Sequence, residues 1–361
     1  MSQSDTIDET RRPRRLGTVS VETVTLAHGG GGKAMRDLID DVFVSVFDNP
    51  RLAPLEDQAR VDFNDLLVHG DRLAFTTDSY VIDPLEFPGG DIGKLAVCGT
   101  TNDLAVGGAK PLYLYLSCGV IIEEGLSIET LRRVARSMAM TAVEAGVQIV
   151  TGDTKVVPRG ACDKLFVTTS GIGVIREGLE VGAHCARPGD AILINGFIGD
   201  HGAAVVDARG DLSLSTPITS DCAALNGLIE VLIAAVPSVR FMRDATRGGI
   251  ASVLNEIAEA SGVGIEVYEK EIPIRAEVRG FCEILGLDPL YLANEGKIVC
   301  VVPADVQTTA LAALRSHPLG RQSALVGVVQ NGPKGRVIMQ TTFGGRRIVD
   351  MLIGQQLPRI C

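Results

Sequence analysis

The last residue of this chain is a thiol: Cys361 closes the run Gly354-Gln355-Gln356-Leu357-Pro358-Arg359-Ile360-Cys361. Chain ends are more often exposed and mobile than packed, and an exposed thiol is a liability in a soluble protein. The combination reads as a tethered nucleophile or carrier, with an incidental terminal cysteine as the plain alternative. Fully extended, the residues from Gly354 onward would reach roughly 26 Å, and Pro358 keeps that arm out of helix.

Three aspartates form a second group. Asp78 follows Leu73-Ala74-Phe75-Thr76-Thr77, Asp103 sits in Thr101-Asn102-Asp103-Leu104-Ala105, and Asp153 follows a short run ending at Thr151. Carboxylates at the ends of buried strands, beside Gly and Thr, suit Mg²⁺ and nucleotide phosphates. Magnesium wants oxygen ligands and keeps several waters, so scattered aspartates suffice. Taken singly, each reads as a cap or turn residue. Glu56-Asp57 is a weaker fourth candidate, through Asp57.

Other motifs carry charge to the same chemistry. Gly29, Gly30, Gly31, Gly32 and Lys33 offer backbone N–H groups and an ammonium to phosphates. Their spacing is not that of a Walker A loop. Lys155, two residues past Asp153, could balance phosphate charge or steady a reacting oxygen. Asp244-Ala245-Thr246-Arg247-Gly248-Gly249 precedes an apolar helix whose start suits an anion. Glu295, in Asn294-Glu295-Gly296-Lys297, is either a general base, if desolvated, or a turn carboxylate paired with Lys297.

These residues need elements to position them. The glycine loop opens a helix at residues 34–39. Strand-like runs lie at Arg72–Thr77, Leu112–Ile122, Lys164–Ile175 and Val147–Thr151. Leu126–Ala145 reads as an amphipathic helix capped by Ser127 and stopped at Gly146. The cluster Ala186-Arg187-Pro188-Gly189-Asp190 marks a domain boundary. Beyond it a strand at Ala191–Ile194 and a loop at Gly199-Asp200-His201-Gly202 lead into helices at Ser220–Ala235, Gly249–Ala260 and Ala304–Arg315. Strands alternate with them at Gly264–Tyr268, Ile298–Val302, Ala324–Val329 and Gly335–Met339. The mixture lacks strict βαβ regularity, so the class is α+β (mixed α/β). The expected organisation is a disordered polar leader over residues 1–20, domains over 21–185 and 190–345, and a mobile tail over 346–361.

Composition narrows the function. With 361 residues, 46% hydrophobic but only 4% aromatic and no Trp, the chain has aliphatic cores. A net charge of −10 argues against general binding of nucleic acid or anionic membrane. No stretch approaches the ~18 apolar residues of a membrane span. The 8 cysteines include no CxxC pair, so zinc and iron–sulfur spacings are missing. Most of them sit in apolar surroundings and read as small buried hydrophobes in a reduced cytosol, and the expected location is cytoplasmic.

Together the segments HGGGGKAMRDLI, LEDQARVD, FTTDSYVIDPLEFPGGDIGKLAVCGTTNDLAVGGA, VTGDTKVV, GDHG, RDATRGG, NEGKIV and the closing PRIC resemble the HypE family of hydrogenase maturation factors. These are carbamoyl dehydratases of the PurM-like (AIR synthase) superfamily. The resemblance runs from about residue 24 to Cys361, and the closing motif separates the family from its relatives. It implies two α+β domains, the first sharing a β-barrel with its copy in a homodimer. It also implies ATP-dependent dehydration of a carbamoyl group on Cys361 to a thiocyanate, the source of a cyanide ligand for [NiFe]-hydrogenase iron. By resemblance, Asp78, Asp103 and Asp153, with Asp57 less certain, would hold Mg²⁺ and the ATP phosphates. Residues 29–33, Asn102, Asp103 and Arg247 would bind nucleotide, and Lys155 and Glu295 would flank the carbamoyl group, with Glu295 removing a proton. The implied partners are the carbamoyltransferase HypF and an iron-carrying HypC–HypD complex. Two rivals stay open: another ATP-dependent kinase or synthetase of the superfamily, which needs no terminal thiol, and a non-catalytic carrier, which needs no aspartates.

Overall fold

The computed structural model describes residues 16–56, 58–114, 118–210 and 217–352. In its first half the elements are α1 (Lys33–Leu38), α2 (Phe63–Leu67), β1 (Arg72–Tyr80), a hairpin of β2 (Glu86–Phe87) and β3 (Gly90–Asp91), α3 (Ile92–Val106), β4 (Ala109–Leu114), β5 (Cys118–Glu123), α4 (Ile128–Ala145), β6 (Gln148–Ile149), β7 (Gly152–Val157) and β8 (Leu165–Ile175). The second half holds β9 (Ala191–Ile194), α5 (Asp200–Ala208), α6 (Asn226–Ala235), β10 (Phe241–Asp244), α7 (Gly249–Ala260), β11 (Gly264–Tyr268), α8 (Ala276–Leu285), β12 (Ile298–Val302), α9 (Gln307–Ser316), β13 (Ala324–Gln330), β14 (Arg336–Gln340) and β15 (Arg346–Val349).

In the first sheet the long strand β8 is the axis. One edge pairs with β1 along its length, and the other pairs with β4 and β5, which pair in turn with β6 and β7. Helices α3 and α4 pack together on one face. The stripe Ile128, Leu131, Val134, Ala135, Met138 and Ala142 of α4 is buried, as its spacing requires. Ser127 caps that helix and Gly146 ends it in the left-handed region, at φ 69°. Helix α3 is missing from the sequence reading for a physical reason. Of its 15 residues, all but Lys94 and Asp103 are buried, so it has no polar stripe to reveal a period.

The second sheet runs β10-β12-β9-β13-β11-β14-β15. Strands β9 and β12 are apolar at every position because both their faces are covered. Ile192, Ile194, Val299 and Val301 pack with Ile250, Val253, Leu254 and Ile257 of α7. Leu193, Ile298, Cys300 and Val302 pack on the other side with α6 and α9. The same cluster takes in Ala105 and Val106, so α3 is also the wall against which the second half rests.

Five expectations change. Gly152-Asp153 opens strand β7 rather than a loop after a strand. Helix α6 begins at Asn226, not Ser220, because earlier N–H groups leave the helical path: Ser220 N donates to Pro88 O and Ala223 N to Glu295 O. The stretch from residue 346, read as tail, starts with β15 paired to β14. Leu112–Ile122, read as one strand, is parted into β4 and β5. Of the leader expected over residues 1–20, residues 1–15 fall outside the described residues, as do residues 353–361 of the tail, but Val19 is buried and its N–H donates to Asp41 Oδ2 at 2.9 Å, so the ordered chain starts before residue 21. No helix among the described residues is long and apolar enough to cross a membrane.

Candidate active site

The candidate residues divide between two clefts. The first lies where α3 and β1 meet β10 and α7, in a cavity of about 540 Å³ lined by Thr76, Asp103, Arg243, Asp244, Thr246 and Arg247. Side chains alternate along β1, so Thr76, Asp78 and Tyr80 share the face that looks towards α3. Thr76 Oγ1 donates to Asp103 Oδ2 at 2.9 Å, and the Tyr80 hydroxyl hydrogen-bonds Thr100. Burial raises the Asp103 carboxyl above its ordinary range, and the charge of Asp78 adds to the effect. Asp244, the last residue of β10, is pushed up to about 7 by burial, with Asp103 and Asp78 adding repulsion. Carboxylates crowded and half desolvated in this way favour a cation. Arg247 is exposed on the rim and has no ion-pair partner among the described residues, whereas Arg243 pairs with Glu256.

Glu295 lies behind this cleft and is only 2% exposed. Its Oε1 is buried without a hydrogen-bond partner. Burial raises its pKa well above the carboxylate range, and Cys222, Asp244, Asp221 and Asp78 push the same way. The pairing of Glu295 with Lys297 that the sequence left open is not made. Lys297 Nζ instead meets Asp221 Oδ2 at 3.0 Å. Asp221 also accepts from the backbone N–H groups of Glu295 and Gly296. Residue 296 must be glycine, because a Cβ there would strike the Asp221 carbonyl. Asp221 thus fixes the Glu295 loop. Sequence reasoning missed it, since it sits in a stretch that reads as helix.

The second cleft, about 590 Å³, lies at the other side of the first sheet and is lined by Gly31, Gly32, Arg36, Arg51, Glu56 and Asp153. The glycine loop packs across the edge of β7: a Cβ on Gly29 would meet Val156 Cβ at 2.9 Å. Buried His28 anchors the loop, its Nδ1 accepting from Thr25 N at 2.9 Å. Gly31 adopts φ 74°, open to glycine without strain. Gly30 lies within the same exposed loop, and Lys33 pairs with Asp37 on α1. Asp153 and Lys155 are 60% and 67% exposed and pair at 2.9 Å.

The register shows which candidates meet. Ser79 lies opposite Thr168, Thr168 opposite Gly119, and Gly119 opposite Asp153. Asp153 is therefore three strands from Ser79, roughly 14 Å at ordinary strand spacing. Like Ser79, it is on the face turned away from α3. Asp78 and Asp103 come together; Asp153 stands apart from them, on the opposite face, as Lys155 does from Glu295. Among the described residues no three His, Cys, Asp or Glu groups are close enough to hold an ion by themselves. Asn102 is not available to a nucleotide in this arrangement. Its Nδ2 donates to Ala223 O at 3.0 Å and its Oδ1 accepts from Leu225 N at 2.7 Å, tying α3 to the second half. Asp57 and Cys361 lie outside the described residues. Cys98, Cys222, Cys282 and Cys300 are buried and free, and Cys162 and Cys185 are partly buried and free.

Known proteins share this architecture. Residues 56–175 match the family model "AIR synthase related protein, N-terminal domain", and residues 187–340 match its C-terminal counterpart. The carbamoyl dehydratase HypE of Rhodobacter capsulatus is 60% identical over 340 residues, covering 94% of this chain and 98% of that one. A solved structure of hydrogenase maturation protein HypE in complex with ATP superposes with a TM-score of 0.88 at 50% identity, covering 94% of this chain and all of the other. A HypE–HypF complex gives a TM-score of 0.75 at 48% identity, over 87% of this chain and 99% of that one. Two PurM-like halves, matched in order and at this identity, place the chain in the carbamoyl dehydratase HypE family, within the AIR synthase related proteins.

Proposed function

We propose that this chain dehydrates an S-carbamoyl group on its own Cys361 to a thiocyanate, using ATP, and so supplies a cyanide ligand for [NiFe]-hydrogenase iron. The carrying observation is Glu295, a buried carboxylate with an unpartnered oxygen beside the carboxylates of the junction cleft. Such a group binds a proton readily, as removal of an N–H proton requires. ATP supplies the phosphoryl group that turns the amide oxygen into a leaving group. That oxygen departs in phosphate, the nitrogen loses both protons, and C≡N stays on sulfur. Arg247 and Thr246 would meet phosphate oxygens at the junction cleft, a role also consistent with its volume.

Magnesium fits the same residues. Asp103 and Asp244 repel one another in a half-buried setting and gain from a cation between them and phosphate. Mg²⁺ is commonly held by one or two carboxylates plus phosphates and water. Asp78 would join them. Asp153 and Lys155 stand on the solvent face of the sheet, so a second copy is the way to bring them to phosphate. Strand β1 favours that copy: it is a long edge strand with Leu73 and Phe75 exposed, Phe75 at 70%. The chain would work in the cytoplasm as a homodimer, loaded by a carbamoyl-transferring partner of the HypF kind and delivering to a HypC–HypD carrier. The HypE–HypF complex among its relatives supports the loading partner.

Oxygen labelling tests the chemistry. The thiol is carbamoylated with ¹⁸O-cyanate, then ATP and Mg²⁺ are added. The label is expected in inorganic phosphate. Unlabelled phosphate with the label retained on protein would sink the mechanism.

A further inference from the structure

A third cleft, in the second half, shares no lining residue with the other two. It encloses about 410 Å³, and its charged lining is Lys94, Arg275, Lys297, Arg321, Asp200 and Asp221. Four cations thus face two carboxylates. Lys297 is held by Asp221. Arg275 Nε donates to Asp200 Oδ2 at 3.0 Å, and its guanidinium lies 4.4 Å over the Phe197 ring. That fixes the fork and leaves its two terminal nitrogens without partners among the described residues. Arg321 is exposed and pairs with no carboxylate among them.

Asp200 decides what fits. Its side chain is 4% exposed, and its Oδ1 is buried with no hydrogen-bond partner. A buried acceptor in that state is costly, so an occupant is favoured that brings an N–H or O–H. The surrounding cations call for an anion. Few small anions do both. Sulfate and simple carboxylates have no donor at neutral pH, whereas hydrogen phosphate keeps one O–H. We propose that this cleft binds hydrogen phosphate. Arg275, Arg321 and Lys297 take its anionic oxygens, and Asp200 Oδ1 accepts its remaining O–H.

The test is calorimetric titration of the full chain with sodium phosphate and, separately, sodium sulfate. Both runs use buffer free of either anion at neutral pH. A non-hydrolysable ATP analogue is present at saturation to occupy the nucleotide cleft. Phosphate is expected to bind at least about tenfold more tightly than sulfate, the value of one hydrogen bond to a charged group. Asp200→Asn should bring the two anions to near equality. Arg321→Ala, a surface change that leaves the fold intact, should weaken phosphate severalfold. Arg247→Ala, in the junction cleft, should weaken the nucleotide analogue but leave the phosphate affinity of this third cleft where it was. Equal affinity for both anions, no binding of either, or a loss on Arg247→Ala without one on Arg321→Ala would overturn the assignment.

Discussion

The junction cleft and the loop cleft offer the same chemical groups on opposite constructions. At the junction, Asp103 and Asp244 project from rigid elements into a half-buried space, and both resist ionisation. At the loop cleft, Asp153 lies in solvent with Lys155 already beside it, next to a glycine loop open to water. Burial makes the first set demand a cation; exposure leaves the second set indifferent until something covers it. The junction holds buried carboxylates and no glycine loop; the loop cleft sets backbone donors and a lysine beside a solvated carboxylate.

Glu295→Gln keeps size and removes the proton acceptor, and turnover should fall ~10²–10⁴-fold with nucleotide affinity unchanged. A near-normal rate would move proton removal elsewhere. A smaller effect asks whether two copies join the clefts. Asp103→Asn and Asp153→Asn should each lose most activity alone. Refolded as an equal mixture, they should recover about a quarter of wild-type turnover, since half the dimers would hold one intact composite site. Absence of recovery would confine the site to one chain.

The pH dependence of stability probes the junction alone. Asp244 titrates near 7 in the folded chain against 3.8 as an ordinary aspartate. Between those values the folded state holds more protons than the unfolded one, so stability must fall as pH rises through that window. Asp244→Asn should flatten the slope, raising stability at pH 8 by at least about 1 kcal/mol. An unchanged slope in denaturant melts would mean the carboxyl is ionised throughout. Asn102→Ala should cost about 1–3 kcal/mol through the buried Leu225 N–H it leaves unpaired, with nucleotide affinity preserved in binding titrations. Lys33→Ala should do least: an unmoved melting temperature, and nucleotide affinity weakened severalfold at most.

The same contrast explains what the sequence could disclose. Helix α4 was readable because its buried face recurs every three or four residues between a serine cap and a glycine stop. Helix α3, apolar on nearly every side, carried no such signal, and with it went the setting of Asn102 and Asp103. Glu295 could be picked out beside Gly296, but its burial depends on Asp221, seventy-odd residues away in the chain. Asp78 and Asp153 look alike in sequence. Only strand register puts them on opposite faces, and register is a long-range property of β8 and β5.

The most direct measurement is the intact mass of the protein after its thiol is carbamoylated and ATP with Mg²⁺ is added. Loss of one water from the adduct is expected, and no such loss in Cys361→Ala. An adduct of unchanged mass while ATP is consumed would contradict it, and would make the chain a superfamily kinase acting on a separate small molecule.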